Sequence, residues 1–119
     1  MKTIDMTANE IRIIYTKEVS EMVTEAIKQG CVLAWKLDKE LQKQNDLLNR
    51  GKASDYSVAK AYRASLQATS KILERFFGGG GVVVIQAALI KTAKIVNETP
   101  NMDYYLDEFI SVLKAERED

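Results

Sequence analysis

Residues 15–48 read YTKEVSEMVTEAIKQGCVLAWKLDKELQKQNDLL, and the spacing of their apolar members decides the fold class. Tyr15, Val19, Met22 and Ala26 recur at alternating steps of four and three, and Leu33, Leu37, Leu41 and Leu48 continue in the same angular phase. A repeat near 3.6 residues gathers these side chains on one side of an α-helix. Gly30 interrupts the run without shifting its phase. Two arrangements satisfy the pattern: one helix over about 8–49, or two antiparallel helices over about 8–29 and 31–49 with Gly30 as the cap between them. Glycine inside a helix costs only about 1 kcal/mol relative to alanine. The unbroken phase therefore favours the long helix, whose apolar seam would outrun a compact monomer and seek a partner.

Working outward, Thr7-Ala8-Asn9-Glu10 fits a capping box at the start of this helix. Asn49-Arg50-Gly51-Lys52 breaks the pattern, and Ser54 or Asp55 can cap a following helix over about 55–77. Its apolar face is Val58, Ala59, Tyr62, Leu66, Thr69, Leu73 and Phe76. After Gly78 to Gly81 a third segment, about 82–97, is apolar nearly all round, as expected of the most buried helix of a bundle. Its opening Val-Val-Val-Ile also suits a strand, but no second strand exists to pair with it. Asn97 and Pro100 end the segment. Asn101 can cap a last helix over about 102–116 that turns Tyr105, Leu106, Phe109, Ile110 and Leu113 inward. The reading is a single all-α domain over 1–119, a bundle of four to five helices with an oligomeric seam along the first.

Composition narrows function mainly by exclusion. Seventeen basic residues balance seventeen acidic ones, so no global field draws the chain to nucleic acid or to an anionic membrane. One cysteine excludes an internal disulfide framework, and nothing near Met1 resembles a secretory signal, which points to the cytoplasm. The uncharged stretch from Phe76 to Ile90 is short of the about 20 apolar residues a spanning helix needs, so no membrane partner is expected. Histidine is absent, which removes the commonest general base, the serine and cysteine triads and most zinc sites. Glu18, Glu21 and Glu25 share one side of the first helix but read as a solvated face rather than a metal site. Cys31, inside the uncharged run Cys31 to Trp35, reads as a packed structural thiol. No catalytic residue, cofactor or metal is implied, and the chain is read as a non-enzyme.

Three local features remain. Between Arg50 and Lys94 eight basic residues face only Asp55 and Glu74, whereas the last twenty-five residues are strongly acidic. Lys60, Arg63, Gln67, Lys71 and Arg75 fall within about 120° of one another on their helix, opposite its apolar face. This basic stripe suits a nucleic-acid backbone, a nucleotide or phosphate ligand, or the acidic terminal helix of a neighbouring subunit. Second, Gly78, Gly79, Gly80 and Gly81 form a hinge or, before a helix N-terminus, an anion loop, although the Gly-Lys-Ser/Thr ending of a phosphate loop is lacking. Third, Trp35 points away from Leu33 and Leu37, so Trp35 together with Leu33, Leu37 and Leu41 is the candidate interface for self-association or for a protein partner. The leading expectation is a homo-oligomeric helical interaction or assembly protein that binds a protein partner. The alternative is an oligomeric nucleic-acid or phosphate binder using Lys60, Arg63, Lys71 and Arg75. Small helical adaptor and assembly proteins, phage-encoded ones among them, share this general form, an analogy of fold class alone.

Overall fold

A computed structural model of the protein describes residues 17–77, 81–98 and 105–118. They form four helices, α1 (Lys17–Asn49), α2 (Ser57–Phe77), α3 (Gly81–Glu98) and α4 (Tyr105–Glu118), with no strand among the described residues. The chain is an all-α bundle. The capping box at Thr7 to Glu10 lies outside the described residues, as do Gly78, Gly79, Gly80, Pro100 and Asn101.

The first helix is continuous through Gly30, so the division into helices over 8–29 and 31–49 is corrected. Packing explains the glycine. Gly30 is buried, and a Cβ added there would stand 2.8 Å from Cδ1 and 2.9 Å from Cδ2 of Leu89 on α3. Gly30 is where the Leu89 side chain of α3 seats against the backbone of α1, and a methyl group there would have to displace it. The actual stop is Gly51, whose φ of 72° is left-handed. Around it the Lys52 N–H donates to the Leu47 carbonyl (2.8 Å) and the Gly51 N–H to that of Leu48 (3.0 Å), the pairing that closes a helix C-terminus.

Spacing alone leaves the buried face slightly misphased. Met22 and Leu48 are each 51% exposed, while the buried line runs through Val23, Ile27, Cys31, Ala34 and Leu37, flanked by half-buried Ala26, Leu33 and Leu41. The cause is that α1 packs against all three other helices. Its inward direction is therefore a compromise among three neighbours, and small residues centre it where α3 approaches. A similar turn affects α2, where Ser70 and Phe77 are buried, Thr69 and Phe76 are half-buried and Val58 is exposed. Phe77 meets Phe109 of α4 edge to face, with ring centroids 5.3 Å apart. In α3, Ile85, Ala88, Leu89 and Ala93 are core, but Val83 is 80% exposed, so that helix is not enclosed on every side.

Buried polar groups find local partners. The hydroxyls of Ser70 and Thr92 donate to the carbonyls of Leu66 and Ala88 four residues back, at 2.8 and 2.7 Å. Gln44 on α1 accepts from the Asp55 N–H at 2.8 Å and donates to the Glu40 carboxylate at 2.8 Å. It thereby holds the α1–α2 turn. Asp55 in turn accepts from the backbone and hydroxyl of Ser57 at the start of α2, which lowers its pKa. Lys91 of α3 pairs with Glu116 of α4.

Gly30→Ala should lower stability to chemical denaturation by about 1–2 kcal/mol, because overpacking against fully buried Leu89 costs about 1–3 kcal/mol and exceeds the about 1 kcal/mol helix-propensity gain of alanine. A more stable variant would show that Leu89 moves aside freely.

Candidate functional site

Helical geometry splits the apolar run Cys31 to Trp35 between two sides of α1. Cys31 and Ala34 point into the core, Leu33 lies on the flank, and Val32 and Trp35 face outward at 45% and 43% exposure. Trp35 is held on the surface by Lys39, one turn on, whose ammonium stands 5.7 Å from the ring centroid. On the same flank Lys28 lies 5.6 Å from the ring centroid of Tyr105, at the start of α4. A cleft of about 200 Å³ opens between Trp35, Val32 and Lys36 on one side and Val96 and Tyr105 on the other, with Cys31 at its floor. A shallower groove of about 490 Å³ runs along the opposite flank of α1, where Val32, Leu33 and Lys36 meet Ser65 and Thr69 of α2.

Of the four residues expected at an interface, Trp35 alone is on the surface. Leu37 is 6% exposed, and Leu33 and Leu41 are half-buried against the core. Leu37 is covered by the chain's own helices and is corrected from interface to core, whereas Leu33 and Leu41 keep part of their surface open and Met22 and Leu48 of the same seam are exposed. Val32 is the surface residue that sequence reasoning missed. Its signal was available: it lies opposite the line through Val23 and Ile27, one turn before Trp35.

The basic stripe is present as a surface ridge. Lys60, Arg63, Gln67, Lys71 and Arg75 are all exposed on α2, away from buried Leu66 and Leu73. None of the four cations forms an ion pair among the described residues. From Lys60 to Arg75 the ridge spans roughly 22 Å. Arg50, in the turn before α2, is paired with Asp46 at 3.2 Å.

Other chemistry is sparse. Cys31 is buried, and the loss of hydration pushes its thiol from 9.0 up to about 12. It is a core side chain and a poor nucleophile. Among the described residues no three His, Cys, Asp or Glu side chains are grouped to hold a metal ion, and no single helix is long and apolar enough to cross a membrane. Of the glycine run only Gly81 is described, and it opens α3 with a φ of 80°. Glu21 and Glu25 are exposed on the outside of α1.

No protein-family model, no curated protein and no solved structure matches the chain.

Cys31 is expected to resist thiol reagents in the native protein at pH 8 and to react once denaturant unfolds it. Because the folded thiol titrates higher, its contribution to stability is full below about pH 9 and is lost as pH rises toward 12. Rapid labelling without denaturant would contradict the burial.

Proposed function

We propose that this chain is a non-enzymatic helical interaction protein that self-associates and binds a protein partner through the outward face of α1. The observation that carries the reading is the joint exposure of Trp35 and Val32, at 43% and 45%, beside the cleft that Tyr105 borders. A large aromatic at the centre of a partly apolar surface is the side chain most often found to dominate a protein interface. Shape argues in the same direction. The long axis of 54 Å is comparable with the roughly 50 Å length of the 33-residue α1, and the radius of gyration of 15.5 Å exceeds the about 13.5 Å of a compact chain this size. An elongated molecule offers α1 lengthwise to a neighbour. The lack of histidine and the inert thiol support a binding role over catalysis, and a single buried free cysteine suits a reducing, cytoplasmic setting.

Light scattering after size exclusion should give a mass near twice 13.4 kDa for the protein at micromolar concentration. Replacing Trp35 and Val32 together by alanine should return it to 13.4 kDa with unchanged helical circular dichroism. A dimer indifferent to both substitutions would place the contact elsewhere.

A second reading rests on the exposed cations of α2, which form no salt bridge among the described residues. Binding of a labelled duplex oligonucleotide through Lys60, Arg63, Lys71 and Arg75 should weaken with salt at a log–log slope of about −3 to −4 for four neutralised phosphates. The fourfold glutamine variant should lose most of that slope. Affinity unaffected by those substitutions would dismiss the ridge.

A further inference from the structure

Along the outward line of α1 acidic residues precede Val32 and basic residues follow it as far as Lys43, with half-buried Lys28 beside that line as the exception. Glu21 and Glu25 come first, Val32 stands in the middle, and Lys36, Lys39 and Lys43 follow, all of them exposed. At about 100° per residue, Glu21, Glu25, Val32, Lys39 and Lys43 lie within about 40° of a single line down the helix. The spacing is symmetric about Val32. Glu25 and Lys39 lie seven residues to either side, and Glu21 and Lys43 lie eleven. A surface with acid and base at equal distances from an apolar centre is complementary to itself under a twofold rotation, and to no copy of itself aligned in parallel.

We propose that a second copy of this chain docks antiparallel on α1, with the twofold axis passing between the two Val32 side chains. Glu25 of each copy then faces Lys39 of the other, and Glu21 faces Lys43. The proposal rests on the self-association reading and adds its geometry. Both Trp35 side chains fall on the same edge of the contact, displaced by about 4.5 Å along the axis to either side of the dyad, where they cover the apolar centre. A parallel pair would set Glu25 against Glu25 and Lys39 against Lys39, which disfavours it.

The register also brings Lys28 of each copy near Lys36 of the other, and Asp46 toward the far end of the contact. Lys28 lies about 80° from Lys36 around α1 and stands 5.6 Å from the Tyr105 ring centroid, and the two Lys28–Lys36 approaches per dimer are outnumbered by the four Glu–Lys pairs. Asp46, further along the same line, is neutralised within its own chain by Arg50 at 3.2 Å. Exposed ion pairs add little affinity each, so their role is to select the antiparallel arrangement while Val32 and Trp35 supply the apolar contact.

The test is a charge exchange on the full-length protein. Glu25→Lys and Lys39→Glu, each alone, place like charges opposite one another twice per dimer and should weaken homodimers by about tenfold or more. An equimolar mixture of the two variants should recover the wild-type dimer mass as a heterodimer, and the double variant E25K/K39E should recover it as a homodimer. Circular dichroism of each variant separates lost association from lost folding. Single variants that dimerise like the wild type, or a mixture that stays monomeric, overturn the antiparallel register, while self-association through Trp35 stands if its alanine variant remains monomeric. A wild-type chain that is monomeric throughout overturns both.

Discussion

The close approach of Leu89 to the backbone at Gly30 is the contact on which the arrangement of the bundle depends. It brings α3 against the middle of the longest helix, and α3 in turn lies against α2 and α4. A side chain at that crossing would separate the axes and loosen the packing around Ile27, Ala34 and Leu66, which share the same core. The absent methyl group gives Leu89 its seat against a helix that runs unbroken through the centre of the molecule. Were α1 to fold back at residue 30, the outward line from Glu21 to Lys43 would not exist.

The turn between α1 and α2 complements this crossing. Gly51 ends the rod, and the Gln44 side chain, only 5% exposed, satisfies the backbone where the chain reverses. Gln44 serves two partners at once, Asp55 and Glu40, so the reversal is tied to α1 by polar geometry as well as by apolar contact. A buried amide with both ends used favours one conformation of the turn over many.

Much of this was legible in the sequence because it depends on neighbours along the chain. The 3.6-residue repeat, the break at Gly51 and the capping role of Asp55 are local, and helices expected over about 55–77, 82–97 and 102–116 are observed as Ser57–Phe77, Gly81–Glu98 and Tyr105–Glu118. What depends on distant residues was not legible. Gly30 resembles a cap until Leu89 is placed beside it, and Gln44 resembles a surface residue until the Asp55 N–H is found against it. The same limit governs the interface residues. An apolar seam read from spacing cannot say whether another chain or the chain's own helices cover it, so Leu37 was expected outside and Val32 was overlooked. The basic ridge of α2 was legible because it needs only the helix period and the charge of each residue.

The position of the single tryptophan has a practical consequence. The indole of Trp35 lies on the outside of the bundle, whereas Phe77 and Phe109 occupy its interior. Its ring is 43% exposed when the chain is folded, so unfolding adds to its hydration while a molecule seated on α1 removes it. Intrinsic tryptophan emission from this protein therefore moves in opposite directions for the two events, toward the red when the helices come apart and toward the blue when the outer face of α1 is covered.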